Sequence, residues 1–183
     1  MNWRSTQDRY SSASIGMHWL MLLLIAAVYA CIELRGNFPK GSYIREGLKT
    51  WHFMLGIGVL VLVAIRVLLR LGDRTPPIQP APPRWQSRLS KVMHYALYGL
   101  MIGMPLLGWL TLSGEGKQIP FFGMHLPSII GESKSIADWC KEIHEAGGTI
   151  GYFLIGAHAA AALYHHYFLR DNTLDRMLPI QRR

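Results

Sequence analysis

Four stretches of this chain, residues 15–34, 50–69, 92–112 and 146–169, are apolar almost without interruption. Each runs to about 20 residues, the length that crosses ~30 Å of hydrocarbon as a helix. Glu33 ends the first and Arg66 interrupts the second. With no water to satisfy its backbone, such a segment is stable in lipid only as a helix or within a closed barrel. Four spans in 183 residues therefore predict one all-α domain over residues 1–183, an integral membrane four-helix bundle. The first span follows Arg4 and Arg9 and superficially looks like a cleaved leader. Its apolar core is longer than a leader's, so it reads as a retained helix.

Basic residues orient the bundle. The N-terminus, residues 66–91 and the C-terminus together carry 12 basic and 4 acidic residues. The opposite side, residues 33–49 and 113–145, carries 7 of each. Both termini are therefore expected in the cytoplasm, and the net charge of +8 lies on that side. Topology and attraction to anionic lipid account for this charge without a nucleic-acid partner.

The loops carry less information. "TPPIQPAPPRW" (75–85) reads as an extended, semi-rigid connector. The outer loop, 113–143, contains "IPFFGMHLPSII", a segment suited to the membrane interface or to covering the bundle, with room for a short helix. Ser133 and Ser135 are candidate caps for the helix that follows. Cys31 and Cys140 fall on the same side, where a disulfide is topologically allowed, but two apolar thiols are the simpler reading. The absence of C-x-x-C-H leaves no anchor for covalent c-type haem.

Ionisable groups inside a membrane are costly and point to function. His18 lies near the inner end of the first helix, and His52 near the outer end of the second. His94 lies near the inner end of the third. The fourth carries His144 at its outer end and His158 14 residues further on. That step is about 21 Å and nearly four whole turns, so both imidazoles share a face. Two levels result: His52 with His144, and His158 with either His18 or His94. One imidazole from each of two facing helices suits bis-histidine haem iron, whereas zinc needs four close ligands.

Several other residues fit around this ligand set. Gly147, Gly148, Gly151 and Gly156 on the last helix, with Gly56 and Gly58 after His52, suit either close helix packing or flat macrocycles. Arg66 repeats the 14-residue interval from His52 and is placed to meet a haem propionate, or to snorkel at the inner boundary. His165 and His166 approach the inner interface, suited to hydrogen bonding there or to proton transfer at a quinone site. His125, in the outer loop, is expected to be solvated.

"GMHWLM" (16–21), "WHFMLGIGVLVLVAIRVLLRL" (51–71), "HEAGGTIGYFLIGAHAAAALYHHYF" (144–168) and "RDNTLDRMLP" (170–179) closely resemble the bacterial cytochrome b561 family. The resemblance covers nearly the whole chain, and the double histidine with the D-N-T-L-x-R-M tail is its most specific part. It implies a four-helix, multi-pass cytochrome of the bacterial cytoplasmic membrane holding two non-covalent haem b groups. It also implies the partners that spacing left open: His18 with His158 at the inner haem, and His52 with His144 at the outer. His94 would then be a non-ligand.

The best-known activity of that family is oxidation of superoxide, with electrons passed to ubiquinone, and this is the expected function. The alternative is an electron-transfer subunit relaying electrons between quinol and a periplasmic redox partner. The balanced outer charge suits a docking surface somewhat better than an anion funnel. A metal- or proton-handling membrane protein without haem is a third class.

Overall fold

The computed structural model describes residues 4–179, so Arg182 and Arg183, counted above on the basic side, lie outside the described residues. It is mostly helical. Helix α1 spans Ser12–Leu34, α2 Tyr43–Leu71, α3 Arg84–Gly114 and α4 Lys134–Tyr164. All four are long and apolar enough to cross a membrane. Each extends beyond its apolar run because polar turns continue the helix at its ends. The Ser11 hydroxyl accepts from the Ser14 amide to open α1, and Ser42 does the same for Arg45 at α2. Ser133 precedes α4, and its carbonyl accepts the Ala137 amide.

The chain divides into two compact units, and every long helix gives a segment to each. The first comprises residues 1–20, 64–99 and 150–183. Its helical segments are tied by the N-terminal strand of chain, the proline-rich connector and the C-terminal tail. Trp19 Nε1 donates to the Met177 carbonyl at 2.7 Å, and the Ser5 hydroxyl to Asp73 at 2.5 Å. Gln79 and Asn172 exchange two hydrogen bonds. Arg176, buried, donates to the Pro76 carbonyl and lies over the Tyr10 ring. The connector is irregular, as its prolines require, and the tail holds it in place.

The second unit comprises residues 21–63 and 100–149. Ile57, Val59, Val63, Leu112, Ile119 and Ala137 are buried in it. Helix α3 ends in a Schellman arrangement: the Lys117 amide reaches back to the Leu112 carbonyl and Gly116 takes φ +66°. Gly114 lies so close to α4 that an added Cβ would stand 3.1 Å from the Ala137 Cβ. Within the outer loop, residues 113–143, residues 134–143 are the first turns of α4, and ahead of them lies an antiparallel hairpin of β1 (Ile119–Phe121) and β2 (Met124–Leu126). Its two-residue turn, Phe122-Gly123, has positive φ at both positions, the backbone a tight hairpin demands. The turn meets α2 through Trp51, whose ring lies 6.1 Å from that of Phe122. Cys31 and Cys140 are both free thiols.

Candidate functional site

Within the second unit, α2 and α4 bring His52 and His144 opposite one another, with ring centroids 6.1 Å apart and ring planes 76° apart. His52 Nδ1 lies 3.0 Å from the carbonyl oxygen of Val28 on α1. A carbonyl can only accept, so Nδ1 carries the proton and donates, leaving the lone pair on Nε2. That is the tautomer a metal ligand needs, held by an outer hydrogen bond. The His144 ring rests against Gly108 of α3, where an added Cβ would come within 3.4 Å of Cε1. Its Nδ1 is buried without a hydrogen bond of full geometry, and the Met104 backbone is the polar group acting on it.

The glycines of α4 serve different ends. A Cβ on Gly147 would stand 2.6 Å from Met104 Sδ, so this glycine permits close helix packing. The Gly148 carbonyl accepts from the Tyr29 hydroxyl at 2.8 Å. Gly151 is buried. Among the described residues, nothing beyond the backbone of its own helix and its chain neighbours lies within 4 Å of a Cβ built on Gly56 or Gly156, so neither is required by packing against another element.

Within the first unit, His18, His94 and His158 gather with Arg66. The His158 ring lies 6.2 Å from His18 and 5.5 Å from His94. The Ser90 hydroxyl lies 3.4 Å from His94 Nδ1. Arg66 Nη2 lies 3.4 Å from His18 Nδ1, and its Nη1 is buried with no acceptor. A guanidinium only donates, so it contributes to His18 only while that Nδ1 is unprotonated. Binding iron through Nε2 would put the proton on Nδ1 and turn Arg66 toward another acceptor. An orphaned buried donor beside a ligand candidate is what an anionic propionate would satisfy.

The two facing pairs fit haem. Two imidazoles bound at ~2 Å to one metal between them place their ring centroids ~6 Å apart. Among the described residues, no group of three or more histidines, cysteines or carboxylates gathers as for a bare metal ion.

A family model described as prokaryotic cytochrome b561 matches residues 9–179. The chain belongs to that family. It is 42% identical over 172 residues to cytochrome b561 homolog 1 of Escherichia coli (strain K12), covering 94% of this chain and 98% of that protein. It is also 42% identical over 174 residues to a probable superoxide oxidase CybB of Yersinia pestis, covering 95% and 98%. A cytochrome b562 of Cereibacter sphaeroides is 24% identical over 177 residues, covering 92% and 94%. As a member of the cytochrome b561 family, this bacterial membrane protein binds b-type haem and transfers electrons.

Beyond Tyr164, α4 continues as a single π-helical turn, His165–Leu169. Arg170 then adopts a left-handed conformation, φ 55° and ψ 36°, which turns the chain back on the helix end. As a result His165 Nδ1 meets Asp171 Oδ2 at 2.5 Å, and His166 Nδ1 lies 3.7 Å from Asp175. Asp171 is only 5% exposed, and its other oxygen accepts the Thr173 amide at 2.8 Å. Burial raises its carboxyl pKa, but hydrogen bonds from Thr173 and His165 outweigh this and hold it below the usual carboxylate value. The sequence reading missed both aspartates. Their signal was an acidic residue six and nine places after the two histidines, hidden because the π turn breaks helical register. His125 lies exposed on β2.

Proposed function

We propose that this protein oxidises superoxide at its outer face and reduces ubiquinone at its inner face, through two bis-histidine haem b groups in the bacterial cytoplasmic membrane. The observation that carries the reading is the pair of facing histidine sets, one in each unit, at 6.1 and 6.2 Å. His52 and His144 hold the outer haem; His18 and His158 hold the inner. The 6.2 Å between His18 and His158 supports that pairing, with His94, 5.5 Å from His158, as the neighbouring non-ligand. Arg66 offers its unpartnered Nη1 to a propionate of the inner haem. Bound haem supplies one-electron redox chemistry; the chain supplies ligation, spacing and charge.

The basic excess of the N-terminus, the 66–91 segment and the tail supports cytoplasmic termini. On the outer side, Lys117, Lys134 and Lys141 are neutralised by Glu115, Asp138 and Glu145. The segment 33–49, which runs from the end of α1 through the first turns of α2 to just before His52, keeps four basic residues against two acidic. An anionic substrate is favoured there. The relative named as a probable superoxide oxidase supports the same assignment. Two superoxide ions each lose one electron to become dioxygen, and two electrons with two protons convert one ubiquinone to ubiquinol. His165 is the group best placed to handle a proton at the inner interface, with His166 beside it.

Stopped-flow mixing of the oxidised, haem-loaded protein with superoxide tests this. Rapid haem reduction that superoxide dismutase abolishes is expected, and the lack of any dismutase-sensitive haem reduction overturns it. The neutralised lysines of the outer loop favour one second reading, docking of a periplasmic electron donor, and that result would support it.

A further inference from the structure

The tail after α4 carries a motif that haem ligation does not explain, and the π turn brings that motif onto the double histidine. From the geometry we infer that Asp171 is the positioning residue of the proton-handling site. It takes the Nδ1 proton of His165 in a hydrogen bond and so leaves Nε2 as the atom that exchanges a proton with quinone. This inference rests on the placement of ubiquinone beside His165 proposed above.

Three features make the pair a built arrangement. The His165–Asp171 contact is 2.5 Å, and a carboxylate can only accept, so Nδ1–H donates. The Asp171 side chain is almost wholly buried, while that of His165 keeps 18% exposure, so the imidazole alone reaches outward. The carboxylate is itself fixed: Thr173 N–H holds its second oxygen, and the Asp171 amide donates to the His165 carbonyl at 3.2 Å. The turn that permits this contains Arg170 at φ 55°, a conformation costing a non-glycine residue about 1 kcal/mol. Such a backbone persists only where its surroundings hold it. Here they do, because Trp19 anchors Met177 and Arg176 anchors the connector at Pro76.

The chemistry follows from the tautomer. With Nδ1–H directed at Asp171, neutral His165 has its lone pair on Nε2. It accepts a proton there to become imidazolium, whose charge the Asp171 carboxylate offsets, and it gives that proton to a ubiquinone oxygen as the electron arrives. The Nδ1 proton stays where it is throughout. Asp171 touches neither quinone nor haem, and acts only through His165.

The test uses the full, haem-loaded chain in detergent with the short-chain quinol ubiquinol-1. Nitrogen-15 NMR of the reduced, diamagnetic protein reads the His165 tautomer. Stopped-flow anaerobic haem reduction across ubiquinol-1 concentrations gives a limiting rate and a half-saturation concentration, which stand for kcat and KM. Wild type is expected to show Nδ1–H. Asp171→Ala is expected to move the proton to Nε2 and lower kcat roughly tenfold, with KM little changed and the haem spectrum intact. Asp171→Asn keeps one acceptor where two N–H groups point, so with its oxygen on the Thr173 amide its NH2 faces His165 Nδ1. It should likewise move the proton to Nε2 and lower the rate, and it serves if the alanine variant fails to fold. In a His165→Gln background, Asp171→Ala should add no further loss. An unchanged tautomer in Asp171→Ala, or an equal further loss in His165→Gln, would overturn the positioning role. Wild-type turnover by His165→Gln alone would overturn the quinone assignment on which it rests, and the tautomer readout keeps the two failures distinct.

Discussion

His52 donates its Nδ1 proton to the backbone carbonyl of Val28 across 3.0 Å, while its ring faces His144 at 6.1 Å. One side of the imidazole is thereby spent on protein, and the other is left to bind. His52→Ala and His144→Ala are each expected to lose the same haem, so that the pyridine haemochrome haem-to-protein ratio falls to about half that of the wild type. His18→Ala and His158→Ala should each lose the other haem, as redox titration of the remaining one will show. Loss of the inner haem in His94→Ala, with retention in His18→Ala, would reverse the inner assignment.

Arg66 provides a separate handle on the inner site. Its guanidinium stands beside His18 with one nitrogen buried and unpartnered, so removing its charge should stabilise the oxidised haem. Arg66→Leu is expected to lower the inner midpoint potential by roughly 60 mV, equivalent to ~1.4 kcal/mol for one electron. Arg66→Lys should recover part of the shift, since it keeps the charge without the planar fork. Spectroelectrochemical titration measures both, and an unmoved inner potential in Arg66→Leu would leave Arg66 a boundary residue.

The spans and the histidine levels were legible because hydropathy and helical pitch act over single segments. Four apolar runs gave four helices, and the 14-residue step from His144 to His158 needed only the rise of one helix. What stayed hidden depended on contacts between segments or on departures from pitch. Helix α2 begins at Tyr43, seven residues before its apolar run, because a polar turn capped by Ser42 is invisible to hydropathy. The hairpin at Ile119–Leu126 needed positive φ at Phe122, a residue that does not advertise it. The Asp171 and Asp175 partners of His165 and His166 depended on a π turn and a left-handed arginine, and neither leaves a periodic trace.

Gly147 provides a packing test independent of haem chemistry. An alanine Cβ there would lie 2.6 Å from Met104 Sδ, which must move. Because the sulfur sits in a flexible side chain, the expected cost is at the low end of overpacking, about 1 kcal/mol. Thermal unfolding should show Gly147→Ala destabilised and the Gly147→Ala/Met104→Ala double variant partly restored relative to Met104→Ala alone. Simple additivity of the two changes would mean that Gly147 does not owe its identity to Met104.

Asp171 gives the protein a predictable acid response. Its folded pKa lies below the usual carboxylate value: burial pushes upward, and the hydrogen bonds from Thr173 and His165 push down harder. A depressed carboxyl contributes stability that is fully present above its unfolded pKa of about 3.9 and is lost as pH falls through the lower folded value. Wild type should therefore be more stable than Asp171→Asn at neutral pH, and the gap should close below about pH 4. Parallel thermal melts of the two proteins from neutral to acid pH isolate this contribution, since every other carboxyl is common to both. A gap that stayed constant down to the acid limit would show that the Asp171 charge contributes nothing and that the pair is held by shape alone.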